Sequence, residues 1–249
     1  MKQTRARILS ILAAAALTVC SLPQSMPLLH SHAITGITAD VANPASEFET
    51  VQIGDTVRIT GWNGSGNAVV LPAKIDGLPV TAIGDNAFSG NKTLTKVSIP
   101  NCITAIGRNA FANCGKLEII HIPASITEIG SGAFAQTAWL AAKRAENPLV
   151  TVNTVLVDGS MCEGWVKVPG GITTIADMAF YGNQSVKSVN LPDTVSVIGD
   201  SAFEACTMLE RIGLPDQLTA IGDHAFERCT ILQRLDIGEN VLTIGEDAF

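Results

Sequence analysis

From Leu94 onward the apolar positions of the chain recur on a ruler. One unit reads Leu94, Val97, Ile99, Pro100, Ile103, Ile106, Gly107, Ala110, Phe111, Cys114, and the next repeats the order at Leu117, Ile120, Ile122, Pro123, Ile126, Ile129, Gly130, Ala133, Phe134. After an interval the same order returns from Val186, Leu209 and Leu232. Seven of the eight phenylalanines stand in Ala-Phe pairs: Phe88, Phe111, Phe134, Phe180, Phe203, Phe226 and Phe249. Successive members differ by 23 in number, apart from Phe134 and Phe180, which differ by twice 23. A fixed period of about 20 to 50 residues marks a small unit stacked on copies of itself.

The pattern predicts the path of one unit. Val97 and Ile99 alternate inward on a short strand while Lys96 and Ser98 face out. Pro100 ends that strand, having no N–H for a ladder. A second short extended piece carries Ile103 and Ile106, Gly107 makes a corner of little bulk, and Ala110-Phe111 are expected on a single helical turn. The residue after the glycine is Asp85, Ser131, Asp200 or Asp223 in most units, which suits an N-cap of that turn. Ala176 takes the glycine's place in one unit, so the corner is not expected to need positive φ. Such a unit cannot bury its apolar face alone and requires neighbours on both sides.

The order Leu-x-x-Val-x-Ile-Pro-x-x-Ile-x-x-Ile-Gly-x-x-Ala-Phe-x-x-Cys resembles the BspA-type leucine-rich repeat of bacterial surface proteins. The resemblance covers residues 66–249. It implies a right-handed leucine-rich repeat solenoid of short parallel strands and turns, mostly β with minor α. It also implies surface display, adhesion and contact with an extracellular or host-surface protein.

The flanks and the interval divide the chain further. Lys2, Arg5 and Arg7 precede a largely apolar stretch from Ile8 to Val19, and small residues follow at Ser31-His32-Ala33, the layout of a signal peptide over 1–33. Secretion or cell-surface display follows from it. Residues 34–47 read as a flexible leader and 48–65 as a capping hairpin turning at Gly54-Asp55, a type II′ signature. The array occupies 66–249, with a variant double coil at 140–185. In that variant, Trp139 to Glu146 has helix-forming composition and Leu149 to Val157 reads as one strand. Phe249 falls mid-repeat with no polar capping turn after it. This predicts an array truncated at its C-terminus and a bare last coil open to end-to-end contact.

Charge and chemistry narrow the function. The formal net charge is −7, and about −10 once the three leader cations are removed. An acidic chain is a poor ligand for nucleic acid, and no later segment has the length to insert in a membrane. Of six cysteines, Cys20 leaves with the leader, and the odd remainder reads as free thiols. Cys114, Cys206 and Cys229 share a slot with Asn91, Thr137 and Asn183, a small buried or hydrogen-bonding position. There is no Cys-x-x-Cys, phosphate loop, nucleophile elbow or His-Glu-x-x-His, so no catalytic, cofactor or metal residue is assigned and no enzyme is expected. Asp177, Asp200, Asp223 and Glu246 form one acidic column, which could hold Ca²⁺ through several oxygens but which capping explains without any ion. Asp193, Asp216 and Glu239 form a second, explained by solvated turns. The candidate interaction surface is the outward side of the Leu-x-x-Val-x-Ile strands: Glu118, His121, Lys187, Asn190, Arg211, Arg234 and Asp236. The function expected is a non-catalytic extracellular repeat protein. The alternative is a structural spacer in a longer multidomain surface protein whose enzymatic or docking module lies beyond residue 249.

Overall fold

A computed structural model of the chain describes residues 41–249. The signal-peptide reading and the first part of the leader fall outside the described residues. From the cap onward the ruler becomes a β-solenoid of about eight turns with one α-helix. Each turn has three sides, and each side pairs with its neighbours through a backbone ladder.

The first side is the Leu-x-x-Val-x-Ile strand. Ala68–Val70, Lys96–Ser98 and Ile119–His121 form one parallel sheet; Gly164–Lys167, Val186–Asn190 and Arg211–Gly213 form another. Val97 pairs with Ile120, and Val189 with Ile212, one period apart and buried. The second side is a run of two-residue strands. Ala82 pairs with Ala105 and Ala105 with Glu128 in the first half. Thr174, Val197, Ala220 and Thr243 align in the second.

The third side corrects the expected helical turn. Between glycine and cysteine slots the chain makes successive β-turns, as in Ala110 N–H to Gly107 O, Ala112 N–H to Asn109 O and Cys114 N–H to Phe111 O. The residues two before and two after each Ala-Phe phenylalanine from Phe88 to Phe226 are left-handed, for example Asn109 (φ 51°) and Asn113 (φ 61°), Ser201 (φ 53°) and Ala205 (φ 57°). A helix does not tolerate left-handed residues at that spacing. The alternation turns every second N–H toward the next coil: Asn109, Phe111 and Asn113 donate to Ser131, Ala133 and Ala135.

This stacking explains the glycine and acidic slots. A Cβ on Gly107, Gly199 or Gly222 would stand about 2.6 Å or less from backbone of the preceding coil, and none of these glycines has positive φ. Bulk is therefore the constraint. Ala176 escapes it because it opens the second half, where the regular preceding coil is missing. The acidic residue after the glycine is not an N-cap of its own turn. Asp85, Asp177, Asp200 and Asp223 each accept the N–H of the equivalent residue one coil later (Arg108, Asp200, Asp223 and Glu246) at 2.7–3.1 Å.

Inside, the rings stack in two columns. Phe88, Phe111 and Phe134 lie 5.1 and 6.1 Å apart, closed above by Trp62 and below by Trp139. Phe180, Phe203, Phe226 and Phe249 form the second column at 4.9–5.7 Å. Gly159 takes the place next to Phe180, where any Cβ would meet the ring at 2.2 Å. In the shared slot, Cys114, Cys206 and Cys229 donate their thiols to the carbonyls of Phe88, Phe180 and Phe203. Thr137 and Asn183 use the same slot for hydrogen bonds to Phe134 O and to the 159–162 loop.

Both sheets break at the 46-residue interval. Helix α1 (Ala138–Glu146) starts at Thr137, whose hydroxyl accepts from Leu140 N, and buries Trp139 and Leu140. The stretch read as one strand is a hairpin, Val150–Val152 against Val155–Asp158, turning at Asn153 with φ 51°. Asparagine tolerates that conformation, and its amide also binds Pro123 O and Ile126 O. The cap strands Phe48–Ile53 and Thr56–Trp62 are antiparallel, with Gly54 at φ 58°, and the second strand pairs with Leu78–Ile83. Val51 and Ile53 remain exposed on the outer strand. Residues 43–47, expected in a loose leader, are tied down: Asn43 exchanges two hydrogen bonds with Val70, and Glu47 accepts from Asn43 and Trp62. In the last coil no strand forms around Leu235 and Ile237, and Gly238 stands in the proline slot after them.

Two substitutions test this account. Gly222→Ala forces a Cβ into the Asp200 backbone and lowers urea-unfolding stability by about 2–3 kcal/mol, the upper end of overpacking costs. Ala205→Gly relieves a left-handed alanine and raises stability by about 1 kcal/mol.

Candidate interaction surface

The side chains predicted to form the surface are all exposed. They do not share one sheet. Glu118 precedes and His121 ends the strand Ile119–His121 in the first half, while Lys187, Asn190 and Arg211 belong to the Val186–Asn190 and Arg211–Gly213 pair in the second. Arg234 and Asp236 lie on the irregular segment of the last coil and bind each other at 2.8 Å. The second-half group is contiguous through its ladder: Trp165 pairs with Ser188, and Ser188 with Arg211; Lys167 pairs with Asn190. Trp165, which lies outside the expected set, is 77% exposed. The signal was present, because Val166 and Val168 are the inward positions of that unit, which turns Trp165 outward. A flat aromatic beside Lys167 and Arg211 has the composition of a binding hot spot.

A second concave feature lies at the interval. A cleft of about 480 Å³ separates the turn at Gly130–Ala135 from the wall at Val157, Asp158, Ser160, Asp177 and Tyr181. Arg144 on α1 forms a two-pronged ion pair with the buried Asp158, whose Oδ1 also accepts from Ser160. Arg108 reaches across to Asp177 and Asp200 at 3.7 and 3.6 Å, but its side chain is largely exposed and the contacts contribute little. Burial raises the Asp177 carboxyl above the usual range, against the opposing Asp200 N–H and Arg108. Among the described residues no group of three or more metal-ligating side chains forms.

Among the described residues, Cys114, Cys162, Cys206 and Cys229 form no disulfide. Burial pushes Cys206 to about 12 and Cys162 and Cys229 to about 11, and it raises Cys114 as well. Neutral thiols donating to ring-bearing carbonyls are packing groups, not nucleophiles.

The model of the BspA type leucine-rich repeat region matches six copies over residues 71–154 and 163–249. The chain belongs to the BspA-type leucine-rich repeat family. Proteins of this family typically serve protein interaction and are generally non-catalytic. Among solved structures, the chain is similar to a leucine-rich repeat protein of T. pallidum, with 30% identity over 77% of this chain and 91% of that one, at a TM-score of 0.48. It is also similar to a leucine-rich cell surface protein of Faecalibacterium prausnitzii (29% identity, 78% and 54% covered, TM-score 0.46). A third is a leucine-rich repeat protein of Bacteroides ovatus (26% identity, 81% and 54% covered, TM-score 0.41). The match spans about half the length of the latter two. No curated protein matches the chain.

Two outcomes check the electrostatics. Asp177 holds its proton more tightly folded than unfolded, so its contribution is full below about pH 3.9 and is lost as pH rises through the raised folded value. Asp177→Asn keeps an acceptor for Asp200 N–H and removes that loss, so the variant gains stability over the parent between pH 4 and pH 7 in urea unfolding. Cys114 and Cys206 resist iodoacetamide at pH 8 in the native chain and react after denaturation; alkylation of the native chain at both would refute their burial.

Proposed function

We propose that this is a secreted or surface-displayed, non-catalytic repeat protein that binds another extracellular protein through the outward face of its second-half strands. The observation that carries the reading is Trp165, exposed on a strand whose neighbours are otherwise polar. The solenoid's inward positions hold the fold, so a large exposed aromatic in a repeat position has no packing role to explain it. Lys187, Asn190 and Arg211 surround it with side chains that no ion pair holds among the described residues, leaving them free for a partner. Family membership supports the interaction role. Among the described residues no helix is long and apolar enough to cross a membrane. The net negative charge disfavours nucleic acid as the ligand.

The test is capture of extracellular proteins on the immobilised chain, followed by the affinity of the captured partner for variants. Trp165→Ala lowers that affinity by at least about 30-fold, the range of a hot-spot residue, while changing stability by less than about 0.5 kcal/mol. Arg211→Glu weakens binding with a salt-dependent component. Unchanged affinity in both variants would overturn the assignment of this face.

A further inference from the structure

We propose that the cleft at the interval is a docking site for a polypeptide segment of another protein, whose backbone fills the missing layer of the turn ladder. At the regular junctions three alternate amides of one turn meet three carbonyls of the next. Asn86, Phe88 and Gly90 donate to Arg108, Ala110 and Ala112; Met178, Phe180 and Gly182 donate to Asp200, Ala202 and Glu204. At the interval the corresponding amides of Gly132, Phe134 and Gln136 meet no acceptor among the described residues.

Across the cleft, Ala179 O takes the amide of Gly159, whereas Asp177 O and Tyr181 O take no backbone amide. The three amides and the carbonyls of Asp177 and Tyr181 therefore lie on opposite sides of the interval, and Gly132, Phe134, Asp177 and Tyr181 line the cleft between them.

A polypeptide is the ligand with carbonyls at every second residue and amides to match. Unmet backbone groups are costly, and adding a strand to an open edge is an established way of meeting them. The stacking geometry also specifies the ligand. Gly130 lies so close to Arg108 N that a Cβ would stand 2.6 Å from it. A segment laid over Gly130–Ser131 must bring a glycine to the same place. The expected ligand is an extended segment of the form Gly-x-x-Ala, the order that follows the second-side strand in most repeats. This site is separate from the Trp165 face and does not rest on it.

The probe is a fluorescein-labelled peptide with the sequence of residues 103–113, which in the chain itself supplies the carbonyls for Asn86, Phe88 and Gly90. In the free full-length chain, hydrogen exchange at Gly132, Phe134 and Gln136 runs at least about tenfold faster than at Asn109, Phe111 and Asn113. Peptide binding, read by fluorescence anisotropy, slows exchange at the first three amides. Ser131→Trp or Ser160→Trp, each folded by circular dichroism, fills the cleft and weakens binding at least about tenfold, and valine in place of the peptide's glycine does the same. Trp165→Ala leaves peptide binding unchanged. Slow exchange at the three amides in the free chain, no binding at millimolar peptide, or binding that survives both cleft-filling variants would overturn the proposal.

Discussion

The interaction on which the rest depends is the backbone ladder between successive coils, made on all three sides of the solenoid. It fixes the distance between equivalent residues and so dictates what each slot accepts. Where backbone of one coil crosses backbone of the last, only glycine fits, as at Gly107 and Gly222. Where an amide faces back along the axis without a carbonyl, an aspartate of the preceding coil receives it. Where a ring-bearing residue repeats, its neighbour's ring is already at stacking distance. The slot that Cys, Asn and Thr share is likewise defined by the previous coil's backbone, since Cys114 and Cys206 both reach a phenylalanine carbonyl there.

The interval is the place where that ladder is not made, and its residues are substitutes for the missing contacts. Trp139 covers the face of Phe134 that the next phenylalanine would have covered, and Gly159 lies against the face of Phe180 that the preceding one would have covered. Asn153 ties its hairpin to the preceding loop by side-chain amide bonds instead of a ladder. Arg144 neutralises Asp158, which is buried by the same rearrangement. The substitution is incomplete on the turn side, and the cleft is its consequence. The two apolar cores reflect the division, one ending with Val155 and Ala176, the other beginning with Leu149 and Leu156.

Positions that the ladder does not constrain are free to carry recognition. These are the outward residues of the first-side strands, where units differ most. The ladder still arranges them, because pairing Trp165 with Ser188 and Ser188 with Arg211 makes three distant residues into one patch. The same pairing divides the expected surface, leaving Glu118 and His121 on the other sheet.

The sequence by itself determined the solenoid, its period, its inward residues and the family, because each depends on side-chain pattern repeated in phase. It also located the helix at Trp139 and gave the register from which Trp165 faces outward. It did not reveal the left-handed alternation of the third side: Asn, Ser, Met, His and Ala all occupy those positions, so no residue type marks them. Nor did it show whom the acidic column serves, since an aspartate that caps its own turn and one that caps the next coil's amide look alike in one dimension. The hairpin at Asn153, the break in both sheets and the cleft were decided by tertiary structure alone. They arise from backbone hydrogen bonds that are made or missed between residues one coil apart, and a linear pattern records only which side chains are present, not which amides find a partner.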